Sequence, residues 1–392
     1  MGSEPRDITQ DHLDRARVAA LIRKLQPDDP LALFRPQVLH RTAQYFLRGF
    51  PGHVSYAVKA NPAPEVLHSL VQAGVTAFDV ASLAEAQAVR AVLPDARLHY
   101  HNPVRSRSEI AKAKSLGVAS WSVDRLSELD KLGQVPNGAQ VAVRVSLGRG
   151  GGAYDFGSKF GASPDLAETL LRAVAERGMT PALTFHPGTQ CTDPASWADY
   201  IAACADIAAR AGVTPVALNV GGGFPSCAQD GDAHHRLFET IAAATRTRFA
   251  EQRPQLWCEP GRGMVAGAMW LLLRVKARGV DMLTLNDGLY GALGEWRDMA
   301  VPGDLTAFTE NGQPMTGAKR AFTIFGPTCD SLDRVPHPWR LPSGIAEEDY
   351  ILVTGAGAYS LALVTQFNGY GTSRVISLET ASDRAGQCRL AG

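Results

Sequence analysis

The sequence predicts a (β/α)8 barrel together with a second, mostly β domain. Between about residue 50 and residue 262, short β-branched or apolar runs alternate with longer, alanine-rich amphipathic segments. This alternation is typical of repeated β/α units, and eight such units close a barrel. After residue 262, strand-like runs are separated by turns rich in glycine and proline. An open, doubly wound sheet is the alternative arrangement of the same β/α pattern.

Eight short runs are the candidate barrel strands, and the segments between them have helical character. The strands are predicted at Val54–Val58, Ala77–Val80, Leu98–His101, Ala119–Val123, Gln140–Ser146, Ala182–His186, Val216–Val220 and Leu256–Glu259. The helical segments include Ala63–Ala73, Leu83–Leu93, Ser106–Leu116, Pro164–Arg177 and Pro194–Ala211. We therefore expect a barrel domain over residues 36–265.

The second domain is predicted from a change in pattern along the chain. Strand-like runs return at Trp270–Val275, Met282–Leu285, Ala321–Phe325 and Tyr350–Thr354. No long helical pattern separates them, and runs of this kind are typical of a β-rich domain. We expect residues 266–392 to form this domain together with residues 1–35.

The composition excludes several classes of function. The 392 residues carry a formal net charge of zero, so neither nucleic acid nor an acidic membrane is an expected partner. The longest apolar run, Met264 to Leu273, is shorter than the roughly 20 residues that span a bilayer. The N-terminus lacks a secretory signal, and the six cysteines are scattered without a Cys-x-x-Cys pair. We expect a cytoplasmic protein with neither disulfides nor a metal site.

Lys59 is the most informative single residue. The run from His53 to Asn61 is apolar and β-rich, and it places this lysine at the end of the first predicted strand. Burying an ammonium group is costly unless another group pairs with it. A desolvated lysine also loses its proton readily, which is what a Schiff-base amine requires. The alternative interpretation is a lysine that extends its charge to solvent at the barrel rim.

Polar or glycine residues stand at several other strand ends, where the functional residues of β/α barrels lie. These are Asp79, Asn102, Arg144, His186, Gly221-Gly222-Gly223 and Glu259-Pro260-Gly261-Arg262. Three of these features have a structural alternative. The glycines could form a plain tight turn, His186 could be a hydrogen-bonded residue at the rim, and Glu259 could form an ion pair with Arg262. Together, an amine, a carboxylate, an imidazole and a glycine-rich anion site meet the needs of pyridoxal phosphate.

Six segments occur in an order and spacing that a known family shares. They are Tyr56-Ala57-Val58-Lys59-Ala60-Asn61, Phe78-Asp79-Val80-Ala81-Ser82, Phe185-His186-Pro187-Gly188-Thr189, Gly221-Gly222-Gly223-Phe224-Pro225, Glu259-Pro260-Gly261-Arg262 and Gly326-Pro327-Thr328-Cys329-Asp330. The chain resembles the fold-type III pyridoxal-phosphate decarboxylases from about residue 35 to residue 371, and most closely the ornithine decarboxylase branch.

The resemblance implies a role for each matching residue. Lys59 would form a Schiff base with the cofactor, His186 would stack on its ring, and Glu259 would bond its pyridine nitrogen. The cofactor and its phosphate would also be held by Thr189, Gly222, Gly223, Gly261, Arg262 and Tyr359. The residues that position Lys59 and the cofactor would be Asp79, Glu85 and Arg144.

The resemblance also implies a homodimer with shared active sites. Cys329 and Asp330 would reach into the active site of the partner subunit. Phe367 matches the aromatic residue at the same subunit junction. After loss of CO2, Cys329 or Lys59 would return a proton to the substrate Cα.

Two other functions share parts of this pattern. An amino-acid racemase has the barrel and the lysine, but in that family an arginine takes the position of Glu259. A non-catalytic regulatory homologue, resembling the antizyme inhibitors, would lose cofactor residues. Lys59, His186, Glu259 and Cys329 are all present here. Decarboxylation is therefore the predicted reaction.

The predicted substrate is a basic L-amino acid, ornithine ahead of lysine, which yields a diamine. Diaminopimelate decarboxylases resemble this chain but carry an arginine at the position of Tyr290 and a glutamate at that of Asp330. Asp330 is therefore expected to bind a distal cation. Ornithine decarboxylases have a second acid where this chain has Met299, with Asp298 beside it. Three points stay open: the chain length of the substrate, its L or D configuration, and whether the product enters polyamine or specialised metabolism.

Overall fold

The structure is a computed structural model that describes residues 8–148, 159–226, 233–299, 303–372 and 374–379. The chain divides into two compact units. One is built on Arg41–Met264, and the other on Pro5–His40 with Val265–Gly392. The domain limits expected from the sequence, 36–265 against 1–35 with 266–392, stay a prediction.

The unit Arg41–Met264 contains a closed barrel of eight parallel strands. The chain first forms α1 (Ile8–Leu25), β1 (Leu31–Phe34) and α2 (Pro36–Gly49). The barrel strands are β2 (His53–Ala57), β3 (Ala77–Val80), β4 (Arg97–Tyr100), β5 (Val118–Val123), β6 (Gln140–Val145), β7 (Thr180–Phe185), β8 (Ala217–Asn219) and β9 (Gln255–Cys258). Strand β2 pairs with both β3 and β9, which closes the barrel. The predicted barrel is confirmed, and the open doubly wound sheet is wrong.

Helices follow the barrel strands, and several of them begin at favourable capping residues. They are α3 (Pro64–Gln72), α4 (Leu83–Val92), α5 (Arg107–Ser115), α6 (Leu126–Leu132), α7 (Pro164–Glu176), α8 (Pro194–Ala211), α9 (Ala233–Phe249) and α10 (Arg262–Val265). Ser82 caps α4, Asp193 caps α8, and Ser106 forms a capping box with Glu109 at α5. These side chains satisfy backbone N–H groups that have no partner inside the helix. None of the described helices is long and apolar enough to cross a bilayer.

Most barrel strands end one residue earlier than the sequence predicts. The residues that lie just beyond the strands rather than within them are Val58, His101, Ser146, His186, Val220 and Glu259. The residue after the last ladder pair still lies at the same edge of the barrel. The offset therefore leaves the predicted polar residues at the carboxyl end of the barrel.

One layer of the barrel interior is filled by a single large side chain among small ones. Trp257 packs in a buried cluster with Ala77, Ala142, Ala182 and Ala217. Methyl side chains on β3, β6, β7 and β8 leave the space that the indole on β9 fills. The barrel is therefore a packed core at this level, and its polar side chains collect closer to the carboxyl end.

The second unit is built on a mostly antiparallel sheet with strand order β12-β15-β10-β11-β13-β14. Its strands are β10 (Met269–Arg278), β11 (Met282–Leu285), β12 (Leu305–Phe308), β13 (Lys319–Phe325), β14 (Trp339–Pro342), β15 (Tyr350–Val353) and β16 (Arg374–Ser377). Strand β1 pairs with β10 and β16, and α1 packs on the sheet through Val18 and Ile22. The prediction of a mostly β domain completed by N-terminal residues is confirmed.

Candidate active site

Lys59 lies in a short 3-10 turn, Val58–Ala60, that follows β2 directly. Val58 and Ala60 are buried, whereas Lys59 is exposed. The side chain at the middle of this turn is therefore the exposed one. The role of Lys59 as the Schiff-base amine stays a prediction.

The charge of Lys59 acts on a group of buried and half-buried side chains. Burial raises the pKa of Asp79 and of Glu85, and the charge of Lys59 opposes that rise. After His101, Lys59 also lowers the pKa of Glu259, and after burial it lowers that of His186. The carboxylate of Glu85 also accepts a hydrogen bond from the backbone N–H of Ala81 at 2.7 Å. Lys59 is therefore close enough to these four predicted site residues to interact with their charges.

Glu259 is buried next to β9 and is held by two side chains from other strands. Its Oε1 lies 2.5 Å from Nδ1 of His101 and accepts a hydrogen bond of 2.6 Å from Nδ2 of Asn219. Burial alone raises the pKa of Glu259, but His101, then Lys59 and Asn219, lower it to about 2. The carboxylate is therefore ionised at neutral pH. The sequence also allowed an ion pair between Glu259 and Arg262. Among the described residues, the ion pair of Glu259 is with His101 instead.

The pKa of Asp79, which lies near the carboxyl end of β3, is shifted in the opposite direction to that of Glu259. Burial, and then the charge of Glu259, raise its pKa to about 7. Its Oδ1 has no hydrogen-bond partner among the described residues. Donor atoms of Asp79, His101 and Glu259 lie within 4.8 Å of one another, a spacing that a metal ion also uses. The hydrogen bond between His101 and Glu259 accounts for the closest of these contacts.

His186 is half-buried directly after β7. Its Nδ1 accepts a hydrogen bond from the backbone N–H of Gly188 at 3.2 Å. Burial, followed by the charges of Lys59 and Arg144, lowers the pKa of His186 to about 3. The ring is therefore a neutral imidazole at physiological pH, as a face that stacks on another ring requires.

Gly221-Gly222-Gly223 form a turn in which no side chain fits. Gly221 and Gly223 have φ angles of +70° and +88°. A Cβ at Gly222 would lie 2.7 Å from the carbonyl oxygen of Glu259 and 3.2 Å from Nε2 of His186. A Cβ at Gly223 would collide with the carbonyl oxygen of Gly188. Glycine is thus required for close approach of backbone at this point, as in an anion-binding turn.

The remaining predicted cofactor residues of the barrel lie at the same end. Thr189 is half-buried after β7, Gly261 follows β9, and the buried Arg262 begins α10. Burial is the main cause that lowers the pKa of Arg144, while the nearby Glu259 and Asp79 raise it. The guanidinium of Arg144 also lies 5.3 Å from the ring centre of Phe160.

Tyr359 belongs to the second unit and has a φ angle of +60°. This left-handed conformation is rare for an aromatic residue, and strain of this kind collects at functional sites. A Cβ at the nearby Gly357 would collide with the carbonyl oxygen of Val265, so this loop is closely packed. The role of Tyr359 in phosphate binding stays a prediction.

Three of the four predicted substrate residues form one cluster in the second unit. The hydroxyl of Tyr290 donates a hydrogen bond to Oδ2 of Asp330, and its ring centre lies 4.9 Å from that of Phe367. The adjacent Cys329 is exposed, and its Sγ lies 3.3 Å from Oδ1 of Asn368. These contacts place the predicted proton donor beside the predicted substrate acid.

Asp298 does not join this cluster. It is exposed at the end of the turn Gly294–Arg297, and its backbone N–H lies 3.4 Å from the carbonyl oxygen of Glu295. Met299, the residue at the position of a second acid, is buried. A substrate contact by Asp298 stays a prediction.

The structure also shows residues that the sequence analysis missed. Asn102, read as the end of the third strand, forms a turn in which its Oδ1 accepts from the backbone N–H of Val104. The inward residue is His101, one position earlier. Asn219, near the end of β8, was hidden within an apolar run. A rule that considered the last two residues of each strand would have found both.

The barrel residues fit pyridoxal phosphate. Asp79 has a buried carboxyl oxygen without a partner among the described residues, and at Gly221-Gly222-Gly223 no side chain covers the backbone. A lysine amine, a neutral imidazole and an ionised carboxylate lie within range of one another's charges. This is the set of donors that the cofactor's aldehyde, ring and pyridine nitrogen need.

Comparison with known proteins agrees with this assignment. The family described as "Pyridoxal-dependent decarboxylase, pyridoxal binding domain" matches residues 37–266. The chain is 33% identical to ornithine decarboxylase of Schizosaccharomyces pombe over 83% of this chain and 77% of the relative. It is 30% identical to a lysine/ornithine decarboxylase of Selenomonas ruminantium over 87% of this chain and 88% of the relative.

Solved structures show the same relationship. Lysine/ornithine decarboxylase of Vibrio vulnificus, solved with cadaverine, superposes with a TM-score of 0.80 at 26% identity. The match covers 96% of this chain and 100% of that one. The barrel, the site residues and both comparisons agree that the chain belongs to the family of pyridoxal-dependent decarboxylases.

Proposed function

We propose that this protein is a homodimeric carboxy-lyase that converts a basic L-amino acid, ornithine ahead of lysine, to a diamine and CO2. The contact between Tyr290 and Asp330 is the observation that carries the choice of substrate. It provides an oriented carboxylate for a distal ammonium group, where an arginine at position 290 would favour a distal carboxylate. The relatives named ornithine and lysine/ornithine decarboxylases support the same choice.

The barrel residues prepare the site for the cofactor. Bound pyridoxal phosphate supplies an electron-accepting ring that takes up the electron pair released when the Cα–carboxylate bond breaks. Lys59 would hold the cofactor through its amine. The ionised Glu259 keeps a proton on the pyridine nitrogen, and the neutral ring of His186 supports one face of the cofactor. Gly221-Gly222-Gly223 offer backbone N–H groups to the phosphate, with Thr189, Arg262 and Tyr359.

The second unit supplies the groups that act on the substrate, and we assign them to the site of the partner subunit. Asp330 pairs with the distal ammonium, because an unpaired charge in a partly desolvated pocket is costly. The thiol of Cys329 donates a proton to the substrate Cα after CO2 has left. Phe367, packed against Tyr290, forms the apolar wall beside the substrate methylene groups. An arginine at position 259 would favour a racemase, and this chain has Glu259 there.

The test is a decarboxylation assay over a panel of amino acids. It contains L-ornithine, L-lysine, L-arginine, diaminopimelate, the D-forms, and norvaline as an uncharged analogue. We expect ornithine to have the highest kcat/KM, followed by lysine. Preference for an acidic or neutral amino acid would overturn the proposal.

Substitution of Asp330 tests whether this carboxylate selects the charged substrate. Asp330→Asn should lower kcat/KM for ornithine by at least about tenfold, because the ammonium group loses its charged partner. The loss for norvaline should be much smaller. Asp298→Asn tests the other predicted substrate acid in the same way, and an equal loss there would move the recognition of the ammonium group to Asp298.

A further inference from the structure

His101 lies inside the barrel with both ring nitrogens engaged. Besides the contact of Nδ1 with Glu259, its Nε2 lies 2.8 Å from Oγ of Ser120. The hydroxyl of Ser122 donates to the backbone carbonyl of His101 at 2.7 Å. His101 is only 6% exposed. The ring cannot turn without breaking one of these bonds, so its orientation is fixed.

Asn219 fixes which atoms face the carboxylate. Its Oδ1 accepts a hydrogen bond of 2.9 Å from the backbone N–H of Gly221, which directs Nδ2 toward Glu259. An ionised carboxylate only accepts hydrogen bonds, so the hydrogen between His101 and Glu259 belongs to Nδ1. Within the described residues, both side-chain hydrogen bonds to the Glu259 carboxylate fall on Oε1.

We propose that His101 is a positioning residue for Glu259: together with Asn219 it holds Oε1 and leaves Oε2 to bond the pyridine nitrogen of the cofactor. This inference rests on the proposed function, because the bound cofactor supplies the partner of Oε2. His101 acts through Glu259 and not on the substrate.

The neighbouring Asp79 is a buried carboxyl group without the hydrogen bonds that His101 and Asn219 make to Glu259, so the two pKa values can be compared. Both carboxyl groups are buried at the same end of the barrel. Asp79 has one oxygen without a hydrogen-bond partner among the described residues and a pKa raised to about 7. Glu259 has the imidazole and the amide, and its pKa is lowered to about 2. The two environments thus favour opposite protonation states, and His101 does more than any other group to lower the pKa of Glu259.

Two substitutions separate the roles of the two ring nitrogens. Asn at position 101 places an amide nitrogen close to the position of Nδ1, so His101→Asn retains a donor for Glu259. Gln places its nitrogen near the position of Nε2, so His101→Gln retains only the contact with Ser120. His99→Gln is the control for altering a buried histidine, because His99 is 1% exposed and its ring lies 5.6 Å from that of His101.

The readouts are the 15N chemical shift of the pyridine nitrogen in holoenzyme loaded with 15N-labelled pyridoxal phosphate, and the steady-state constants for ornithine. In His101→Gln we expect the shift to move toward the unprotonated value and kcat to fall by about 10- to 100-fold, as when an outer hydrogen bond to a catalytic ligand is removed. KM for ornithine should change by no more than about twofold, because substrate contacts are retained. His101→Asn should restore both readouts, and His99→Gln should leave the shift unchanged.

The outcomes distinguish this inference from the proposed function. If wild-type protein binds no pyridoxal phosphate or decarboxylates no basic amino acid, the proposed function fails. If wild-type protein does both, and folded His101→Gln keeps the wild-type 15N shift and kcat, the positioning role of His101 is wrong. Equal losses in His101→Gln, His101→Asn and His99→Gln would also overturn it, since they would indicate a general disturbance of the barrel interior.

Discussion

The hydroxyl group of Tyr290 donates a hydrogen bond to Oδ2 of Asp330, forty positions further along the chain. The side chain of Asp333 connects the segment around Tyr290 to the segment around Asp330. Its Oδ1 accepts a hydrogen bond of 2.7 Å from the backbone N–H of Leu289, and its Oδ2 accepts one of 2.8 Å from the hydroxyl of Thr328. The Tyr290 bond, followed by one from the backbone of Leu332, lowers the pKa of Asp330. Asp330 is therefore a fixed negative charge at neutral pH.

Tyr290→Phe should weaken recognition of the distal ammonium while leaving the fold intact. The variant retains the ring that packs on Phe367 and loses only the hydrogen bond that orients the Asp330 carboxylate. We expect kcat/KM for ornithine to fall about three- to tenfold, the usual consequence of losing one hydrogen bond. Steady-state kinetics with ornithine and with norvaline measure this loss.

Tyr370→Phe is the matched control for this prediction, because the Tyr370 hydroxyl lies 3.5 Å from Nζ of Lys276 rather than near Asp330. It should behave as the wild type. Equal losses for ornithine and norvaline in Tyr290→Phe would contradict a role in selecting the charged substrate.

The residues that the sequence analysis identified share a simple property. Lys59, His186 and Glu259 stand at strand ends, where the β/α pattern alone indicates which residues share one edge of the barrel. Tyr290 and Asp330 were identified only through the resemblance to a family. No periodicity connects two loop residues so distant in sequence, and the contact depends on Asp333 holding both loops.

The parts that sequence reasoning missed depend on single-residue detail. A shift of one position decides whether His101 or Asn102 faces the barrel interior, because successive residues of a strand point to opposite sides. The exposure of Lys59 depends on the 3-10 turn that replaces the last predicted residue of the strand. Neither detail follows from an alternation of apolar and polar runs, since strand ends are uncertain by one or two residues.

Lys59→Ala should abolish turnover without unfolding the protein. The lysine is exposed in a surface turn, so its removal should change the thermal unfolding of the cofactor-free protein little. Borohydride should fix the cofactor to the wild type and not to the variant, which mass spectrometry detects. Lys112→Ala, an exposed lysine of α5, is the control and should retain both activity and reducible cofactor. Wild-type turnover in Lys59→Ala would refute the assignment of the amine.

Mixing Lys59→Ala with Cys329→Ala should restore activity if active sites are shared between subunits. In a hybrid dimer one site takes its lysine and its cysteine from the two unaltered halves, while the other site loses both. After random exchange we expect about one quarter of wild-type activity, because half of the dimers are hybrids with one complete site. The measurement is activity after subunit exchange, verified with differently tagged chains. No gain above the separate variants, once exchange is demonstrated, would exclude the shared site.

Asp79→Asn should stabilise the cofactor-free protein at alkaline pH. Burial, and then the charge of Glu259, raise the pKa of Asp79 from 3.8 to about 7, so the folded protein retains a proton that the unfolded chain releases. Folding therefore binds a proton between about pH 4 and pH 7, and the stability contributed by this group falls as the pH rises through that window. Above it, wild-type protein holds a buried charge that the Asn variant lacks.

The difference between wild-type protein and Asp79→Asn should appear in urea unfolding as a function of pH. We expect the variant to have the larger free energy of unfolding at about pH 8, by on the order of a few kcal/mol, and the gap to close toward about pH 4. Asp281→Asn, at an exposed aspartate, is the control and should show no such divergence. A wild-type protein that is the more stable of the two above pH 7 would show that the Asp79 carboxylate is stabilised, and not penalised, by its burial beside Glu259.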